Sequence, residues 1–202
     1  MRLCKLLLAA ASAIVCFGAF VGIASARTFL TSSQTFRATY REVEIAGVFG
    51  VTVCPLTTEG SFHSRSTVKS VGSLIGYITR ATLGACASGS ATIQQLTLPW
   101  HIRYLAFTGT LPNIISIKAN IIDVGARVRE PGGIACLSRS SAAQPITATF
   151  TRTLANGEIR SADLAGTIST GPECGGAAAT LSAFSTSATV LNAATRITVT
   201  LI

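Results

Sequence analysis

ITATFTRTLANGEIRSADL, residues 146–164, is the stretch whose reading decides the fold. Ile146, Ala148 and Phe150 alternate with Thr147, Thr149 and Thr151. That period of two puts apolar side chains on one face of a strand and hydroxyls on the other. Asn156-Gly157 follows, a pair that accepts the two positive φ values of a type I′ turn. Glu158, Ile159 and Arg160 then begin a return strand. The stretch predicts a half-buried β-hairpin.

The same period runs outward from it. Ile197, Val199 and Leu201 oppose Arg196, Thr198 and Thr200. In residues 114–124, Ile115, Ile117, Ala119 and Ile121 oppose Ser116, Lys118 and Asn120. Further strands are expected at 28–40, 43–53, 61–68, 92–98, 100–108 and 180–186. Turn signals separate them at Leu111-Pro112-Asn113, Pro131-Gly132-Gly133, Thr170-Gly171-Pro172 and Cys174-Gly175-Gly176. Residues 71–83 carry two patterns. Val71, Leu74, Ile75 and Ile78 fit a helix, but Gly72 and Gly76 would each cost a helix about 1 kcal/mol. Ile75, Tyr77, Thr79, Ala81 and Leu83 fit a strand, which is the expected state. A chain of short strands and small-residue turns predicts a single all-β domain. An antiparallel sandwich with Greek-key-like connections is the expected arrangement, and a closed barrel is the alternative. A membrane barrel is not expected, because no outward apolar band with aromatic girdles is patterned into the strands.

The first 26 residues are expected to be a leader rather than part of the fold. Arg2 and Lys5 precede an apolar run from residue 6 to 23, and Ala24-Ser25-Ala26 supplies a small-residue cleavage triplet. This order reads as a secretory signal peptide. The run approaches the roughly 18 residues that can span a bilayer, so an uncleaved membrane anchor is the alternative. The expected domains are therefore 1–26, signal peptide, and 27–202, the β domain. Cleavage removes two of the 16 basic residues and none of the eight acidic ones, leaving a net charge of +6. Arginine outnumbers lysine and alanine is abundant, a balance seen in high-GC bacterial proteins. The basic residues are scattered along the chain, with no run of them. Nucleic acid is not an expected partner, because export and the absence of a clustered basic stretch both argue against it. Weak attraction to anionic cell-envelope polymer or lipid headgroups is the partner reading that this charge supports.

Of the six cysteines, Cys4 and Cys16 lie in the leader. An even set of four in an exported chain implies disulfides. The expected pairs are Cys54–Cys86 and Cys136–Cys174, each between sequence neighbours. A zinc site lacks support, since no C-x-x-C pair occurs and neither His63 nor His101 sits at ligand spacing from a cysteine. No metal or cofactor is expected.

Chemistry-bearing residues are few. No G-x-S-x-G, H-E-x-x-H or phosphate-cradling loop occurs. On a strand beginning after Pro99, Trp100, Ile102 and Tyr104 share one face and His101 and Arg103 the other. The first face could stack on a sugar or fill a core, and the second could bind an anion. Residues 60–65 repeat the His/Arg alternation with His63 and Arg65. Paired strands would join His63, Arg65, His101 and Arg103 into one anion-binding patch. Candidate ligand-binding residues are thus His63, Arg65, Trp100, His101, Arg103 and Tyr104, with no catalytic residue assigned. The expected role is a non-enzymatic, exported, disulfide-stabilised protein, structural or surface-binding, at the cell envelope or beyond. A carbohydrate- or lipid-binding module and a small secreted hydrolase are the alternatives.

Overall fold

The computed structural model describes residues 28–111 and 113–201. The expected signal peptide lies outside the described residues.

Fourteen strands follow in order. They are β1 (Thr28–Thr31), β2 (Thr35–Gly47), β3 (Gly50–Phe62), β4 (Ser66–Val68), β5 (Leu74–Leu83), β6 (Ser90–Ile93) and β7 (Trp100–Thr110). Then come β8 (Asn113–Ile122), β9 (Gly125–Arg129), β10 (Ala135–Arg139), β11 (Ile146–Arg152), β12 (Ile159–Thr170), β13 (Ala178–Thr189) and β14 (Val199–Leu201). The all-β, antiparallel expectation holds. Eight of the strands pair in a closed ring, β2-β3-β5-β7-β8-β11-β12-β13 and back to β2. Each ring strand pairs with the next ring strand in sequence, so the connections are up-and-down rather than Greek-key. This is the barrel arrangement, and opposite walls meet inside it as the two layers of a sandwich would.

An eight-stranded barrel encloses a space that side chains can just fill. Here Phe36, Ala38, Tyr40, Val43 and Ile45 of β2 are buried, while Thr39, Arg41, Glu42 and Glu44 face water. The apolar-inside, polar-outside order is the reverse of a porin-like wall. Two small apolar voids of about 50 Å³ each remain inside. Burial of Tyr40 and Tyr104 pushes both phenols up from their ordinary range.

Each end of the barrel is closed by a small sheet. At the lower end, β14, β1 and β4 pair, and Phe29 of β1 packs against Tyr104 and Phe107. At the upper end, where the β2–β3 turn lies, β6, β9 and β10 form a second sheet attached to the end of β12. Its inner residues Ile93 and Ala126 border the upper void. Both expected disulfides are present, and both fasten this upper sheet. Cys54 of β3 joins Cys86, just before β6, and Cys136 of β10 joins Cys174, just after β12.

A carboxylate adds a third fastening. Glu130 is buried and accepts the N–H of Phe49 in the β2–β3 turn. Gly47 leaves the room for it: a Cβ there would stand 1.9 Å from the carboxylate. Gly47→Ala should therefore cost about 1 to 3 kcal/mol by displacing a buried, bonded group. A thermal melt equal to that of the unaltered protein would show that this carboxylate is not needed at the turn.

Several local expectations shift. Within residues 71–83, Leu74–Leu83 form a strand, β5, and Gly76 sits where a Cβ would meet Ser61 O at 2.5 Å. Residues 28–40 split between two sheets, and 43–53 contain the β2–β3 turn. Within 61–68, β3 ends and β4 begins, while 92–98 holds the end of β6 and a 3-10 turn, Gln95–Thr97. On β8, Ile117, Ala119 and Ile121 line the interior as expected. Ile115 is exposed, however, and Ile114 takes the buried position where register slips between Thr108 and Gly109 of β7. The 146–164 hairpin forms, but not with a type I′ turn, since only Gly157 has positive φ. Asn156 instead uses its side-chain oxygen to accept the Glu158 N–H, and residues 153–158 make a longer loop.

Candidate functional site

The expected surface patch does not assemble as one unit. Strand β5 lies between β3 and β7, so the two His/Arg segments do not pair with each other. Tyr77 of β5 bridges them instead, with its ring edge-on to His63 at 4.8 Å and to His101 at 5.2 Å. Arg65 is engaged at the lower end, where its Nε donates to Thr31 O at 3.1 Å. Arg103 is exposed on β7, across from Leu74 and Asn120. Trp100 and Tyr104 are corrections to the surface-ligand reading: Trp100 is 2% exposed and Tyr104 also points inward. In a closed barrel, the Trp100/Ile102/Tyr104 face is the inner one. Trp100 Nε1–H donates to Thr97 Oγ1 at 3.0 Å, so its polar atom is satisfied within the fold.

His101 borders an open cleft of about 590 Å³, shared with Leu96, Pro99, Asp123, Arg139 and Ser141. Its Nδ1 lies 2.6 Å from Asp123 Oδ2. Asp123 holds φ of 68° in the tight turn between β8 and β9, a conformation that Asp tolerates better than most residues. A hydrolytic triad would need a serine on the other ring nitrogen. The cleft serines are occupied elsewhere. Ser140 Oγ accepts the Val124 N–H, Ser141 Oγ accepts the Gln144 N–H, and Ser169 Oγ donates to Gln144.

A different cluster emerges on the upper sheet. In β9, Ala126 and Val128 face the barrel, and Arg127 and Arg129 face water. On β10, Cys136 and Ser138 are buried while Arg139 is exposed. The pairing of β9 with β10 and β6 brings Leu137, Ser90 and Thr92 beside the arginines. Three guanidinium groups thus share one small water-facing sheet, and Arg139 reaches the His101 cleft. Two carboxylates stand near them, Asp123 in the cleft that Arg139 reaches and Glu173 beside Arg127. The N–H of Leu137 holds the Glu173 carboxyl below its ordinary range, with the Glu173 N–H and the charge of Arg127 adding to the effect. Glu173 is thereby tied to the backbone at 2.6 Å.

The sequence signal for this cluster was the Arg-Val-Arg alternation at 127–129, since a period of two places both charges on one face. Arg139 joins them only through strand pairing, which no local pattern reveals. The lock on the sheet is tertiary as well: two disulfides, the Glu130 clasp, and Ser88 Oγ donating to Val51 O at 2.8 Å.

Among the described residues, no group of three or more His, Cys, Asp or Glu side chains is placed to hold a metal ion. No helix there is long and apolar enough to cross a membrane. No protein-family model matches the sequence, and neither a curated protein nor a solved structure shows significant similarity to it.

Proposed function

We propose that this protein is an exported, disulfide-stabilised barrel that acts without catalysis, by contact between its upper sheet and an anionic surface of the cell envelope. The observation that carries this reading is the set of Arg127, Arg129 and Arg139 on one rigidly fastened, water-facing sheet. A fastened backbone presents the three guanidinium groups, which bind phosphate or carboxylate by charge-assisted hydrogen bonds, without the cost of ordering a loop. The interior supports the same choice. Ligand pockets usually enclose roughly 300 Å³ or more, whereas the two inner voids are about 50 Å³ each. Export is supported by two disulfides and by the leader pattern, since such bonds persist in oxidising compartments.

The test is binding to poly(glycerol phosphate) and to vesicles containing an anionic phospholipid, across a salt series. A cation near an anionic surface contributes about 1 kcal/mol, or roughly fivefold in affinity, at low salt. The triple change Arg127→Gln, Arg129→Gln, Arg139→Gln should weaken binding by about 100-fold and flatten its salt dependence. Binding that is unchanged in the triple variant, or absent in the unaltered protein, would refute the reading.

A further inference from the structure

We infer that the upper end inserts two hairpin tips into an anionic lipid bilayer, with Arg129 behind them at the headgroups. This rests on the anion-binding reading above and commits it to a lipid surface.

The β2–β3 turn consists of Val48 and Phe49, which are 68% and 42% exposed. Tight turns are dominated by Gly, Asn, Asp, Pro and Ser, so two large apolar residues at a tip in water run against turn chemistry. Looseness does not explain them, and Val48 remains mostly uncovered. The Phe49 backbone is pinned by the Glu130 carboxylate, and its side chain lies on Gly133, where a Cβ would come within 2.6 Å. Gly133 belongs to the neighbouring β9–β10 turn, which ends in Ile134, itself 51% exposed. The two tips therefore lie side by side, with Val48, Phe49 and Ile134 exposed on them.

Arg129 adjoins the tips, since it pairs with Ala135, the residue after Ile134. Apolar groups at a tip with a cation behind them match the layering of a bilayer interface. The tip meets acyl chains while the Arg129 guanidinium stays level with phosphates. A soluble anionic polymer would use the arginines and leave the tip in water. A protein partner would be expected to offer and meet a broader face than two turn tips. The lipid surface alone uses both features.

The experiment introduces a reporter by Phe49→Trp. The native chain has one tryptophan, Trp100, which is buried and gives a constant background. Emission is followed with neutral vesicles, with vesicles carrying about one-third phosphatidylglycerol, with brominated lipids, and with poly(glycerol phosphate). The expected result is a blue shift and bromine quenching on anionic vesicles only. The reporter sits at the tip, so a retained leader would not produce this signal. Val48→Ser with Phe49→Ser should weaken partitioning onto anionic vesicles about tenfold and leave polymer binding unchanged. Binding to anionic vesicles without a Phe49→Trp shift, or binding to the polymer but not to those vesicles, would overturn tip insertion and leave the anion reading standing. An equal shift on neutral vesicles would overturn the arginine contribution. No binding to any anionic surface would remove both.

Discussion

Removing the two disulfides should release the upper sheet and take most of the stability of the fold with it. The bridges close loops of 32 and 38 residues in sequence separation. Loop-closure entropy for such lengths gives about 4 kcal/mol each. Single domains are stable by roughly 5 to 15 kcal/mol, so loss of both bridges approaches the whole margin. Cys54→Ser with Cys86→Ser, or Cys136→Ser with Cys174→Ser, should each lower the melting temperature by about 8 to 16 °C. The combined variant should be largely unfolded at 37 °C. The loss should be uneven in space. Amides of β9 and β10 lie on a small sheet that joins β12 through two residue pairs and should exchange first, before those of β2 and β3. Melting temperatures that fall by less than about 3 °C in each pair variant would show that the upper sheet holds without its bridges.

Trp100→Ala is the second large effect, and its sign separates two readings of one residue. A tryptophan that stacks on a sugar at the surface is dispensable for folding, and its loss would abolish binding while leaving the melt unchanged. A tryptophan that fills the upper interior leaves a large cavity when truncated. Trp100 borders the upper void with Ile93, Val124 and Ala126, and holds Thr97 in the 3-10 turn. Truncating a buried aromatic costs about 3 to 5 kcal/mol. The melting temperature should fall by about 6 to 20 °C, with Trp100→Phe much milder. A normal melt for Trp100→Ala would return the residue to the surface reading.

The particular elements show what local pattern can and cannot carry. Alternation at 146–150 and at 117–121 gave the strands and their buried faces, because one side of a barrel wall meets a core and the other meets water. Cysteine pairing followed from count and spacing. Closure of the ring was not legible, since a sandwich and a barrel use the same alternation and differ only in which strands pair at the ends. The 43–53 segment was read as one strand because Val48 and Phe49 are apolar and extend the hydrophobic pattern straight through a turn. The turn escaped notice for the same reason that it is informative. Trp100, Ile102 and Tyr104 were correctly grouped on one face, but only the curvature of the wall tells inside from outside. The arginine sheet required Arg139 to meet Arg127 and Arg129 through the β9–β10 pairing, a contact between segments with a turn between them.

The chain enters the barrel through β1, at the end opposite the Val48/Phe49 turn. Thirteen-residue strands such as β2 span about 40 Å along their length, or about 30 Å along a barrel axis tilted against them. This polarity gives the molecule the geometry of a spacer. A leader retained in one membrane would attach at the end of the barrel opposite the arginine sheet, which lies roughly 3 nm from it. Such a molecule would suit bridging from that membrane to a second anionic layer. Cleavage of the leader removes that attachment and turns the same barrel into a free adaptor. Under the export proposed above, the processing of residues 1–26 decides whether one surface or two are involved, and the intact mass of the protein reads it directly.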